Sequence, residues 1–188
     1  MSDKHYAMVI DTSRCMGCQT CVVSCKLNNQ VPGSAHWCHV ISLDGDKIYQ
    51  ATGKFPNAQM VFRPILCMHC ENPPCVRGCP STAMHRDETN GIVSVDQTVC
   101  IGCGYCVFNC PYNAPMLDDE HHYMSKCFFC ESRVEEGKDP FCVLTCPGRA
   151  RFFGDLNDPG SIVNQLIQRG NGVPWLQELG TKPSVYYI

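Results

Sequence analysis

Sixteen of the chain's seventeen cysteines fall into four groups of four. Cys15, Cys18, Cys21 and Cys25 are spaced x2, x2, x3, and Cys67, Cys70, Cys75 and Cys79 are spaced x2, x4, x3. Cys100, Cys103, Cys106 and Cys110 repeat x2, x2, x3, and Cys127, Cys130, Cys142 and Cys146 are spaced x2, x11, x3. The last three groups end in Cys-Pro (Cys79-Pro80, Cys110-Pro111, Cys146-Pro147), whereas the first ends in Cys25-Lys26. Thiolates are the soft ligands that suit the iron corners of a cubane. Three of them at two-residue gaps wrap one cluster from a single loop; a fourth, three residues on and followed by proline, has turned away toward a second cluster. Structural zinc uses two C-x2-C pairs, or one pair with histidines, and leaves the third cysteine unexplained. Disulfides do not account for triplets so close in sequence. The repeated pattern predicts four [4Fe–4S] clusters. Which groups share clusters stays open on spacing alone. Sequential pairing joins one with two and three with four; nested pairing joins one with four and two with three.

These loops need elements to hold them. Strand-like stretches lie at 6–10, 60–66, 91–95 and 149–154, and short helices are expected to start at 22–25 and 107–110. This is the strand, cluster loop, short helix rhythm of a two-cluster ferredoxin, used twice. Two stretches break it: a Gly/Asn/Asp-rich insert at 26–59 and a tail at 155–188. The tail opens as a turn with capping residues. A helix over 161–169 follows, with Ile162, Val163, Leu166 and Ile167 expected inward and Gly170 as its C-cap, then a final strand or extended arm over 185–188.

The 188 residues carry a formal charge of −3. An oxidised cubane with four thiolates adds about −2, so the loaded chain stands at roughly −11. There is no basic run for nucleic acid and no stretch of ~18 apolar residues to span a membrane. The beginning, Met1-Ser2-Asp3-Lys4, shows neither a signal-peptide core nor a twin-arginine pair, so export would depend on a partner's address. The expected location is the extracytoplasmic face of the membrane, by co-export with a signal-bearing partner, or the cytoplasm.

Cys38 stands outside the motifs and reads as a buried small hydrophobe. His69, between two ligands, reads as a residue that orients its loop rather than one that tunes a cluster. Arg14, Lys26, Arg77 and Lys126 each lie within two residues of a ligand and are expected to offset cluster charge. His85, His121 and His122 read as surface or interface groups, and Trp37 and Trp175 as packing or interface anchors. No nucleophile–base pair and no Gly-rich phosphate loop is present, so no catalytic residue, flavin site or nucleotide site is predicted.

Several segments carry a family resemblance: Ile10-Asp11 before Cys15, Cys67-Met68-His69-Cys70, Glu71-Asn72-Pro73-Pro74-Cys75, and Cys79-Pro80 with Ala83-Met84-His85. Asp96 before CIGCGYC, Cys110-Pro111-Tyr112, Lys126-Cys127 and Cys146-Pro147 continue it. With these, nearly the whole chain resembles the iron–sulfur subunits of the molybdopterin oxidoreductase superfamily, such as those of dimethyl sulfoxide, nitrate, polysulfide, thiosulfate and arsenate reductases. The resemblance implies nested pairing. Cys15, Cys18 and Cys21 would then share a cluster with Cys146, and Cys25 with Cys127, Cys130 and Cys142. Cys67, Cys70 and Cys75 would share one with Cys110, and Cys79 with Cys100, Cys103 and Cys106. The implied fold is α+β, with two intertwined bacterial-ferredoxin-like modules, inserted loops and a C-terminal docking arm. Its parts would be 1–59 (first run and insert), 60–122 (second and third runs, the inner module), 123–154 (fourth run, paired with the first) and 155–188 (helix and arm).

The implied role is a non-catalytic wire passing single electrons to or from a large molybdopterin catalytic subunit, with a quinone-linked membrane subunit at the other end. The first cluster would face the molybdenum subunit and the last the membrane subunit. The tail around Phe153-Gly154-Asp155 and Tyr186-Tyr187-Ile188 looks like the polysulfide, thiosulfate and arsenate branch of anaerobic prokaryotes. Arg63-Pro64 and Leu179-Gly180-Thr181 are also similar to the small subunit of pyrogallol–phloroglucinol transhydroxylase, which lacks a full cysteine set. A reductive aromatic dehydroxylase partner would satisfy both. The rival readings are a freely diffusing polyferredoxin shuttle and a transhydroxylase-type small subunit.

Overall fold

The computed structural model describes residues 4–31, 33–42 and 51–188. The expectations placed on residues 1–3, and on 32 and 43–50 of the insert, lie outside the described residues. Strand β1 (Tyr6–Ile10) leads into the first cysteine group and its helix α1 (Thr20–Asn28), and β2 (Cys38–Ser42) and β3 (Phe62–Leu66) flank the insert. Helix α2 (Pro74–Arg77) sits within the second group and is followed by the hairpin β4 (Met84–Arg86) and β5 (Val93–Val95). The third group carries α3 (Tyr105–Asn109); a short hairpin, β6 (Met116–Leu117) and β7 (Met124–Ser125), leads to the fourth, with α4 (Glu131–Glu135) and α5 (Phe141–Leu144). The tail supplies β8 (Arg151–Asp155), α6 (Ile162–Gly170), β9 (Val173–Pro174) and β10 (Val185–Tyr187). The architecture is α+β. Among the described residues no helix is long and apolar enough to cross a membrane.

The largest sheet runs in the order β8-β1-β10-β9. Its inner strand β1 reads YAMVI and is buried at every position, as a strand covered on both faces must be. It runs antiparallel to β8, with Ile10 opposite Arg151, and parallel to β10, with Met8 opposite Val185. The N-terminal strand thus lies between β8, which follows the fourth cysteine group, and the C-terminal strand β10. Strand β2 has no counterpart among the sequence expectations. It alternates buried and half-buried residues, pairs Cys38 with Leu66 of β3, and was hidden by its Gly/Asn/Asp-rich surroundings.

The prolines set helix length. Helices α2, α3 and α5 end at or before the residue preceding the Cys-Pro that closes their group, because proline disfavours helical backbone in the residue before it. The first group has no such proline, and α1 runs through Cys25 to Asn28.

The tail departs from expectation in three ways. Its last strand is built into the main sheet rather than left as an arm for a partner. Val185 and Ser184 are buried, Tyr187 Oη donates to Pro64 O (2.9 Å), and Tyr112 Oη bonds Thr181 Oγ1 (2.5 Å). In α6 the inward residue is Val163 (0% exposed), whereas Ile162, one residue and about 100° around the helix, is 44% exposed. Leu166 and Ile167 are half-buried. The helix is capped by Asn171 (φ +48°), not by Gly170, which is glycine because Ile188 packs against its α-carbon. Val163→Ala should therefore cost about 1.5 kcal/mol or more, while Ile162→Ala should stay within about 0.5 kcal/mol, as read from urea denaturation.

Candidate metal centres

All seventeen cysteines are unpaired by disulfides. Cys15, Cys18, Cys21 and Cys146 line one small cavity, joined by Arg151. Cys25, Cys127, Cys130 and Cys142 line a second, joined by Cys38. Cys67, Cys70, Cys75 and Cys110 line a third, beside Lys126. Cys79, Cys100 and Cys103 gather around Cys106, whose thiol is pushed up to about 11 by burial and then by those neighbours. Each gathering takes three cysteines from one group and one from another. Among the described residues no three His, Cys, Asp or Glu side chains converge on a single metal ion. Sulfurs that ring a cavity fit the separated corners of a cubane better than the tight tetrahedron of zinc.

Burial and crowding raise the thiols of Cys15, Cys25, Cys70, Cys75, Cys106, Cys110, Cys127 and Cys142 in the metal-free chain. Burial first, then the neighbouring thiols, push Cys25, Cys70 and Cys75 up to about 12. Cys127 is raised as well, by burial first and then by Cys25 and Cys67. Iron would stabilise the thiolates, and loading would release their protons. Cys21 and Cys38 behave as a pair. The hydrogen bond between them lowers Cys21 and raises Cys38, and Arg151 also lowers Cys21.

The loops share one backbone device. The residue before the second cysteine of every group is left-handed: Gly17 (φ +68°), His69 (+44°), Gly102 (+65°) and Phe129 (+54°). This turns the chain sharply between two ligands, the kind of turn that directs successive N–H groups toward an anion. A Cβ on Gly17 would lie 2.6 Å from the Phe62 ring, and one on Gly102 would collide with the His122 carbonyl. His69 and Phe129 hold the same conformation against a cost of about 1–3 kcal/mol each. They stack on one another, ring centroids 3.7 Å apart, and both are buried. A second device follows each Cys-Pro: Thr82, Asn113 and Arg149, three residues beyond the cysteine, are left-handed. Backbone N–H groups then meet sulfur, Met84 N on Cys79 Sγ (3.4 Å) and Ala150 N on Cys146 Sγ (3.4 Å).

His69 orients its loop, as expected. Its Nδ1 accepts from Val93 N–H (3.1 Å) and its carbonyl accepts from Ser184 Oγ (2.8 Å). With Nδ1 accepting, the proton sits on Nε2, which is buried without a partner among the described residues. Burial, aided by the charge of Lys126, lowers the ring's pKa and keeps it neutral.

The cations divide differently from the sequence reading. Lys126 is buried, donates to the Val93 and Cys127 carbonyls, and acts on Cys75 and Cys110. Lys26 instead ties the insert, donating to Gly33 O (2.5 Å) and Ala35 O (3.1 Å). Arg14 and Arg77 are exposed, with Arg14 lying over Phe152. Proximity in sequence misses Arg151, which is buried and five residues past its nearest ligand position. Cys38 is buried as expected, but it also accepts from Arg151 Nη2 at 3.1 Å. His85, His121 and His122 are exposed. Trp37 packs edge-on to Phe128 and donates to Ser125 Oγ, and Trp175 lies under Arg63.

Residues 58–156 match the 4Fe–4S dicluster domain family. The chain is 41% identical to the putative dimethyl sulfoxide reductase iron–sulfur subunit of Halobacterium salinarum, over 98% of this chain and 79% of that one. It is 43% identical to a tetrathionate reductase subunit of Salmonella typhimurium, over 100% of this chain and 74% of the other. It is 40% identical to a sulfite dehydrogenase subunit of Allochromatium vinosum, over 97% of this chain and 82% of the other. With iron–sulfur loops repeated along its length and such relatives matched nearly end to end, the chain belongs to the 4Fe–4S dicluster family, as an electron-transfer subunit of the molybdopterin oxidoreductase kind.

Proposed function

We propose that the chain carries single electrons through four [4Fe–4S] clusters between a molybdopterin catalytic subunit and a donor or acceptor partner. The carrying observation is the gathering of sixteen cysteines into four sets of four. On this reading the ligand sets are Cys15, Cys18, Cys21 and Cys146; Cys25, Cys127, Cys130 and Cys142; Cys67, Cys70, Cys75 and Cys110; and Cys79, Cys100, Cys103 and Cys106. When bound, each cluster supplies a site that takes up and returns one electron. The protein's own part is to hold the thiolates, exclude water and supply N–H groups and cations.

Contacts across the sets support a single-file order. Cys142 is within electrostatic reach of Cys21, Cys127 of Cys67, and Cys75 of Cys106. Cys18 and Cys103, at the two ends of that file, are exposed. Exposed apolar side chains flank both, Met16 and Val23 beside the first and Ile101 and Phe108 beside the last, which supports a partner contact at each end. The main sheet, joining β1 to β8, supports an outer module of 1–59 with 123–154, and the β4–β5 hairpin an inner one of 60–122. Because the last strand belongs to the chain's own sheet, the case against a diffusing shuttle rests on the relatives that are reductase subunits rather than on the tail. The sulfur-compound enzymes among those relatives favour a catalytic partner of the polysulfide or thiosulfate type over an aromatic dehydroxylase.

The native protein should copurify with a large molybdenum-containing subunit; recovery as a monomer at low concentration would favour the shuttle. Iron and acid-labile sulfide should each approach about sixteen per chain, four per cubane, and a value near half of that refutes the count. Cys103→Ser should lose one cluster or convert it to a three-iron form, seen by electron paramagnetic resonance. Gly102→Ala, which drives a methyl group into the His122 carbonyl, should lose about four iron per chain. Gly104→Ala, which carries the same left-handed strain (φ +72°) but whose Cβ meets nothing within 4 Å, should retain them.

A further inference from the structure

Arg151 lies on β8 opposite Ile10 of β1 and is 3% exposed. Its Nη2 donates to Cys38 Sγ at 3.1 Å and its Nη1 reaches Met8 Sδ at 3.6 Å. Arg151 lines the cavity ringed by Cys15, Cys18, Cys21 and Cys146, and Cys38, to which it donates, lines the one ringed by Cys25, Cys127, Cys130 and Cys142; its charge acts on Cys21 and on Cys142, which belong to different cysteine sets. Among the described residues no carboxylate lies within ion-pair distance of it. A guanidinium keeps its charge at any ordinary pH, and burying one is strongly unfavourable unless anions face it. Thiolates can balance such a charge, whereas neutral thiols are weak acceptors and cannot. The charges able to do so are the thiolates and sulfides of whatever fills the two adjoining cavities.

Resting on the cluster assignment proposed above, we infer that Arg151 is a potential-setting residue shared by the two clusters held through Cys21 and Cys142. An electron arriving from the partner, or from dithionite in vitro, adds one negative charge beside a fixed cation. The cation stabilises the reduced form and raises the potential. No proton moves, because the guanidinium is already charged. Both clusters face the same cation, so removing it lowers both potentials together. The clusters of the inner sets lie beside Lys126 or farther off, and their potentials stay in place.

The test is a redox titration of the cluster-loaded protein followed by electron paramagnetic resonance, with iron and sulfide counted on the same samples. Arg151→Gln should keep its iron and shift two cluster signals to more negative potential. The expected size is at least tenfold in the ratio of reduced to oxidised cluster, about 59 mV for a one-electron couple. Arg151→Lys, which keeps the charge, should shift them by less than half as much. Unchanged potentials in Arg151→Gln, or an equal shift of every signal, would overturn the inference. If Arg151→Gln loses clusters that Arg151→Lys retains, the charge requirement stands. If both lose them, the planar geometry of the group matters rather than its charge, and the inference is wrong. Iron well short of four clusters in the unmodified protein is a failure of the cluster assignment itself, seen before any variant is compared.

Discussion

A loop that presents cysteines two residues apart to one cage has to reverse direction between them. In this chain the reversal is a left-handed residue just before the second cysteine of each group, at Gly17, His69, Gly102 and Phe129. Two of the four are glycines, for which the conformation is easy. At the other two the strain is held by mutual packing, since the buried rings of His69 and Phe129 stack face to face. That stack joins the loop of the second cysteine group to the loop of the fourth. It is further tied to β5 through Val93 N–H and to the C-terminal segment through Ser184. The packing of the interior follows from keeping these loops in shape.

The same constraint explains the sheet. A strand of unbroken apolar character, β1, is useful only between two neighbours, and the chain supplies both from its far end, β8 and β10. Placing β8 against β1 sets Arg151 between the first and second cysteine sets, where an arginine in a strand otherwise has no reason to be buried. Placing β10 on the other side uses the last residues for the core. The missing proline after Cys25 fits this frame, because α1 can continue past its ligand position and bring Asn29 against Cys25 and Cys130.

Much of this was legible from residue types. The four cysteine groups, β1, the approximate starts of α1 and α3, and the final strand follow from spacing, apolar runs and proline positions. What was not legible came from neighbours distant in sequence. The face of α6 turned on how the helix sits against the sheet, so Val163 rather than Ile162 is buried. The cation that reaches the sulfurs turned on β-pairing, so Arg151 took the place that sequence proximity gave to Arg14 and Arg77. Strand β2 is short, shows no alternation of apolar and polar residues and gains its order from β3.

The amino-acid sequence by itself determined the chemistry. Sixteen thiols at ligand spacing, with prolines to stop the helices and glycines at two of the turns, specify iron–sulfur loops whatever surrounds them, because those features act within a few residues of backbone. Only the tertiary structure decided which groups lie together and what charge lies between them. Cysteines from residue 15 to residue 146 converge on one cavity because the strands before and after them pair, and strand pairing is a relation between distant segments that local spacing does not encode.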